Sequence, residues 1–353
     1  MLPNSDSLVS TQDESLNLVP PTPPPPPLLR RVFVGPDGLR AGWSLLLFVL
    51  LLAALLGAAH FIVQKIHPPT HKPDDIVFDW KFKFLNEGMP FVFVLLVTWI
   101  MSKIEHRSNG VYGLGGQRKA GLFLRGLGWG IIFVSLLVFT LWKTGLLVFE
   151  RRLIFGTDVL LYGALWLFGF LLVGLLEEYL TRGYMQYTVT RGIAGLYRKI
   201  TNSPTGEAVG FWSAALLFSF LFGLGHGSNP GESPIGLVTA GGAGLVFCFA
   251  LWRTGSLWWA IGFHCAWDWG ESYLYGVADS GIMVQHHLFA THPVGKAILS
   301  GGTTGPEGSV FALVVLALVA VAIAATLPKR RQAYLVARAS APALPPIEAA
   351  RGF

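Results

Sequence analysis

Three short polar groups interrupt otherwise apolar stretches of this chain, and their side chains are those of acid–base chemistry. The first is Glu177, Glu178 and Arg182 in LLVGLLEEYLTRGYMQYTV. On a helix, positions 178 and 182 lie on one face, so Glu178 and Arg182 can pair, whereas Glu177 points about 100° away and is left to act. The second is His226, which ends the run ALLFSFLFGLGH; Phe222 precedes it by one turn, and Gly223, Gly225 and Gly227 let a backbone or substrate come close. The third is His264 and Asp268 in GSLWWAIGFHCAWDWGES, again one helical turn apart. Each group has a plainer reading: a helix end, an interfacial histidine, a buried His–Asp hydrogen bond between helices. Three such groups on three apolar helices are harder to explain as glue, because ionisable side chains at bilayer depth are costly. Convergence on one cavity is the economical expectation.

A carboxylate, two imidazoles and a short polar side chain suffice for hydrolysis without a nucleophilic Ser or Cys. Glutamate can act as general base on water with a histidine sharing the proton, and a second histidine with its neighbour can stabilise an oxyanion. The same inventory can bind a metal, since Glu177, His226 and His264 would be enough for catalytic zinc. No H-E-x-x-H helix is present. The residues alone leave both readings open.

The elements that must position these groups are transmembrane. Of 353 residues, 52% are hydrophobic and only 13% charged, against about 25% charged in soluble domains. This excludes an ordinary soluble domain, a disordered chain and a disulfide-rich module. The two cysteines, Cys248 and Cys265, form neither a disulfide framework nor a zinc cluster. Apolar spans at 42–63, 90–104 or from near Phe82, 119–142, 158–181, 208–226, 234–252, 255–272 and 309–327 predict an all-α polytopic bundle of about eight transmembrane helices. Most of the 26 Lys and Arg residues fall on the N-terminal side of these spans. That places both termini in the cytoplasm of a multi-pass protein of the cell's inner (plasma) membrane. The net charge of +6 is then a topology signal and a grip on anionic lipid, not a nucleic-acid footprint.

Residues 1–40, with Pro20, Pro21 and Pro23–Pro27, read as a disordered cytoplasmic segment, 41–328 as the transmembrane domain, and 329–353 as a disordered tail. The first apolar run reads as a retained signal anchor. One tension follows: Glu177 falls near the cytoplasmic end of its span and His226 near the opposite end of the next. It disappears if the fourth helix continues past Arg182 toward Arg191, since YMQYTVTR contains no breaker before Gly192. His286, His287 and His292 read as loop histidines rather than a metal site; Glu307 could bond loop backbone, but a plain turn before the last helix is the safer reading.

The ordered set resembles the CPBP membrane proteins, the CAAX proteases and bacteriocin-processing enzymes, whose type II CAAX prenyl endopeptidases are the best-known branch. Their pattern E-E-x-x-x-R, F-x-x-x-H and H-x-x-x-N/D is met by Glu177 to Arg182, Phe222 to His226, and His264 to Asp268. R-T-G-S-L-W before His264 and G-G-T-T-G-P-E-G at 301–308 look like bacterial members. The resemblance covers about 155–310, which it marks as the catalytic core. It implies a helical bundle around an intramembrane cavity and hydrolysis of a peptide bond. Glu177 with His226 would activate water, His264 and residue 268 would hold the oxyanion, and Glu178, Arg182 and Phe222 would support them. No cofactor is required on this reading, with a divalent metal such as zinc at Glu177, His226 and His264 as the alternative. The implied partner is a membrane-anchored protein or peptide, prenylated and CAAX-like or bacteriocin-like. Many members carry Asn where this chain has Asp268. An ionised Asp cannot donate to an oxyanion, so Asp268 must be protonated, orient His264 or help to bind a metal. A non-catalytic relative serving as immunity or scaffold protein and a proton-coupled transporter are the alternatives, and no repeat supports the latter.

Overall fold

The computed structural model describes residues 27–35, 38–66, 77–201, 203 and 205–328. The tail 329–353 and most of the segment 1–40, both expected to be disordered, lie outside the described residues. A short helix α1 (Leu28–Phe33) and the paired strands β1 (Val34–Gly35) and β2 (Gly38–Leu39) lead into α2 (Ala41–Ile66). There follow β3 (Val77–Phe78), α3 (Trp80–Ile104), α4 (Lys119–Lys143), β4 (Leu147–Arg152), α5 (Thr157–Glu178), α6 (Gln186–Thr201), α7 (Gly206–Gly225), α8 (Pro234–Thr254) and α9 (Trp258–Trp269). The chain closes with β5 (Met283–Val284), β6 (Phe289–Pro293), α10 (Ala297–Ser300) and α11 (Val310–Thr326).

The protein is an all-α polytopic membrane fold. Among the described residues, 6 helices are long and apolar enough to cross a bilayer. Large apolar side chains such as Leu50, Phe61, Leu160, Phe220 and Val238 face outward on them, as contact with lipid rather than water requires. The helix ends follow from local chemistry. Asp79 accepts a hydrogen bond from the Phe82 backbone N–H and starts α3. Ser233 does the same for Gly236, with Pro234 in the first turn of α8, and Gly255 at φ 69° ends that helix.

Two spans take the longer of the expected extents. Helix α3 begins ten residues ahead of Pro90, close to the expected start near Phe82, so that Lys81, Lys83 and Glu87 are helical. Helix α5 runs on past Arg182. It passes through a π-helical turn, Tyr179–Met185, directly into α6 and forms one 45-residue helix from Thr157 to Thr201. Each NH in the turn still finds a carbonyl, so nothing in YLTRGYM breaks the rod. A second π-helical turn, Gly270–Tyr275, prolongs α9. The short strands were not anticipated: β4 pairs antiparallel with β6, and β3 pairs parallel with β5.

Glycine decides how closely the central helices approach. A Cβ on Gly126 of α4 would stand 2.0 Å from the Trp259 carbonyl oxygen, and one on Gly262 of α9 would stand 2.2 Å from that of Phe123. Backbone therefore meets backbone between α4 and α9, the close approach that small residues permit in membranes. Trp259, Ala260 and Phe263 of α9 join Val134, Leu137 and Leu141 of α4 in the core. Helix α9 is thus sealed in the middle of the bundle, with its polar residues His264 and Asp268 directed away from lipid.

Candidate active site

Helices α5 and α9 bring the first and third polar groups together. Where they cross, a Cβ on Gly174 would lie 3.1 Å from the Ile261 carbonyl oxygen and 3.6 Å from the His264 Cβ. Glu177 and Glu178 follow Gly174 by about one turn and so reach the His264 side chain. The Nδ1–H of His264 donates to Oε1 of Glu178 at 3.1 Å. Arg182 donates to the same oxygen at 2.9 Å. Both partners of that ion pair are fully buried, which confirms the pairing that helical spacing predicts. Nε2 of His264 stands 3.7 Å from Oε2 of Glu177 and 3.5 Å from Oδ2 of Asp268. Glu177 differs from Glu178 in exposure: its side chain is 29% accessible and faces a cavity.

Helix α7 supplies the second group. His226 caps its C-terminus, and the Nδ1–H of His226 donates to the Phe222 carbonyl at 2.8 Å. A carbonyl oxygen can only accept, so the neutral ring keeps its lone pair on Nε2. Phe222 packs its ring against His226 at 4.7 Å between centroids and edge-on to His264 at 6.3 Å. The Arg182 guanidinium lies over the same ring at 4.0 Å. Phe222 is therefore the apolar wedge around which Arg182 and the two histidines are arranged.

Glu177, His226, His264 and Asp268 line one cavity of about 460 Å³, within the range of ligand pockets and with room for water. The helix continues from Thr157 to Thr201 with Glu177 near its middle, and Glu177 and His226, expected near opposite ends of their spans, face the same cavity. His226, His264 and Asp268 also border a smaller adjoining cavity of about 40 Å³. Across these spaces, the Asn229 side-chain amide donates to the Ser280 carbonyl at 2.9 Å, tying the loop after α7 to the loop after α9.

Several residues of this region were not read from the sequence. Lys83, on α3, lines the large cavity and pairs with Glu87 at 3.4 Å. Its place at the start of the span hid it; the Asp79 cap was the available signal. Asp279 also faces the cavity, and burial, followed by the neighbouring Glu307, pushes its carboxyl up to about 7. Glu271, three residues after Asp268, is fully buried. Glu307 lies in the turn before α11, as expected, but its carboxylate is held by side chains. It accepts from the Trp267 indole N–H at 2.8 Å and from the Ser280 hydroxyl at 2.7 Å.

The donor atoms of Glu177, His226 and His264 do not form a set within 4.8 Å of one another. Among the described residues, Glu271, Asp279 and Glu307 do. The loop histidines have separate partners: His286 stacks on Tyr162, the Nδ1–H of His287 donates to the Val284 carbonyl, and His292 pairs with Glu150.

Residues 158–270 match a family model described as type II CAAX prenyl endopeptidase Rce1-like. That segment contains every residue of the three motifs. No curated protein and no solved structure matches the chain.

Proposed function

Since residues 158–270 place this chain in the type II CAAX prenyl endopeptidase Rce1-like family, we propose that it is an intramembrane endopeptidase that activates water with Glu177 and His226. The single observation that carries the reading is the shared cavity, in which a partly exposed carboxylate, two imidazoles and Asp268 meet.

In the proposed step, Glu177 takes a proton from a water held between it and Nε2 of His226. The water oxygen attacks the scissile carbonyl carbon and the carbonyl oxygen becomes an oxyanion. His264, as the imidazolium, keeps Nδ1–H on Glu178 and turns Nε2–H to that oxyanion. Asp268 joins it as a carboxylic acid. Collapse of the intermediate returns the proton from Glu177 to the departing amine. Arg182 holds Glu178, Glu178 holds His264, and Phe222 keeps the two histidines apart at fixed spacing. No step in this sequence calls on a metal ion; a zinc ion at Glu177, His226 and His264 is the competing reading.

The substrate class that fits is a lipid-anchored or otherwise membrane-associated protein or peptide, because the cavity opens among helices whose outer faces are apolar. We place the protein in the plasma membrane with both termini in the cytoplasm, on the distribution of Lys and Arg.

The test is cleavage of quenched peptide libraries and of a prenylated CAAX peptide by the purified protein in detergent. Glu177→Ala and His226→Ala should each lower the rate by about 10²–10⁴-fold. Cleavage that persists in both variants overturns the reading, and activity abolished by chelation in the wild type and restored by zinc but not by calcium transfers it to the zinc alternative.

A further inference from the structure

Beyond residue 270, where the family match ends, three carboxylates converge from three separate segments. Glu271 comes from the π-helical end of α9, Asp279 from the loop after it, and Glu307 from the turn before α11. One oxygen from each lies within 4.8 Å of the other two. Among the described residues, none of the three forms an ion pair with Lys, Arg or His at 4.0 Å or less. Three anions this close repel one another, and removal from water makes the repulsion more costly.

A second observation concerns Glu271. Its side chain is fully buried and neither oxygen has a hydrogen bond of ordinary geometry, the Trp267 indole lying close to it but donating at 2.8 Å to Glu307. Buried carboxylates are ordinarily satisfied, and here the nearby donors are committed elsewhere. The Trp267 indole and the Ser280 hydroxyl hold Glu307, and the Ser272 hydroxyl reaches Asp279 at 3.4 Å. Those contacts orient two of the acids from behind, as outer-shell donors do around metal ligands, and leave the oxygens of Glu271 pointing into the cluster.

We propose that Glu271, Asp279 and Glu307 form a binding site for a divalent cation of calcium size, which staples together the loops that roof the catalytic cavity. All three ligands are hard carboxylate oxygens, the donor type that calcium and magnesium take. Oxygens at 2.3–2.6 Å from one calcium lie at most about 5.2 Å apart across the ion, whereas about 4.2 Å is the limit for magnesium. Three oxygens that all lie within 4.8 Å of one another fall inside the span of a single calcium ion. The segments it would join are already in backbone contact. A Cβ on Gly305 would stand 1.9 Å from the Ala278 carbonyl oxygen, and one on Gly281 would stand 2.5 Å from the Gly231 carbonyl carbon. Gly231 follows His226 by a few residues, and Ser280 and Glu307 border the small cavity beside His226 and Asp268. The cation would thus fix the roof without touching the reacting atoms.

The experiment uses the full-length protein in detergent, stripped with chelator and titrated with calcium or with terbium, whose emission is read on excitation of Trp267. Calcium should raise the melting temperature, and terbium should luminesce and be displaced by calcium. Glu271→Gln and Glu307→Gln should each weaken the midpoint by about tenfold or more. Glu177→Gln should leave the calcium response unchanged, although that side chain belongs to the catalytic cavity. Should a triad variant fail to fold, the wild-type titration still decides the matter, and Trp267→Phe, which removes the indole donor to Glu307, should dim terbium emission and weaken the calcium midpoint. No calcium effect on the wild-type melting temperature together with no terbium emission overturns the proposal. So does a response that survives both triad variants, or one that is lost in Glu177→Gln.

Discussion

One carboxylate oxygen, Oε1 of Glu178, receives both the Arg182 guanidinium at 2.9 Å and Nδ1–H of His264 at 3.1 Å. Two adjacent glutamates therefore occupy opposite environments. Glu178 is fully buried and its charge is neutralised by Arg182, so it can orient His264 but has no route to water; Glu177 faces the cavity.

Glutamine substitutions should separate the two. Glu177→Gln is expected to abolish peptide cleavage while leaving the melting temperature in detergent near that of the wild type. Glu178→Gln leaves the buried Arg182 without its counter-charge and should cost about 3–5 kcal/mol of stability as well as activity. Equal destabilisation by both would count against the division.

The crossing of α5 and α9 can be tested at Gly174. A Cβ there would already be 3.1 Å from the Ile261 carbonyl oxygen, and the two further carbons of Gly174→Val must push the helices apart at a cost of about 1–3 kcal/mol. Because the displacement moves Glu177 and Glu178 relative to His264, kcat should fall by at least about tenfold with KM nearly unchanged. Gly174→Ala, which demands only a few tenths of an ångström, should retain most activity.

Asp268 stands 3.5 Å from Nε2 of His264 and serves an oxyanion only as a carboxylic acid. Asn donates at every pH. Asp268→Asn is accordingly expected to keep activity within about tenfold and to extend it to more alkaline pH, because a side chain that must hold its proton has been replaced by one that cannot lose it. A pH–rate profile of the two proteins provides the measurement, and loss of all activity in the Asn variant would indicate a different role.

Glu232, in the loop between α7 and α8, offers a pH test away from the helices. Burial raises its carboxyl above the ordinary value of 4.5, partly offset by the Ser233 backbone N–H at 2.7 Å. The folded protein then holds this proton more tightly than the unfolded chain does. Its stabilising contribution is complete below about 4.5 and declines as pH rises through the folded-state value. Glu232→Gln keeps an acceptor for Ser233 and cannot ionise. Relative to wild type, its melting temperature should therefore rise between pH 4 and pH 7, and an unchanged difference would refute the assignment.

Some of this was determined by the sequence alone. Scarce charge in long apolar runs requires helices, since lipid offers no partner for an open backbone. The i, i+4 spacing of Glu178 with Arg182 and of His264 with Asp268 is a property of one helix turn and needed no neighbours. The absence of a breaker in YMQYTVTR likewise foretold that the helix would run on past Arg182. What only the tertiary structure decided depends on contacts between segments far apart in the chain. That Glu178 reaches His264 follows from Gly174 meeting Ile261. That Lys83 enters the cavity follows from where α3 packs. Glu271, Asp279 and Glu307 have no common spacing, and they meet because Gly281 and Gly305 let three loops touch backbone to backbone. Local periodicity can specify the face on which a side chain lies, but which face it meets is set by how closely the helices and loops around it can pack.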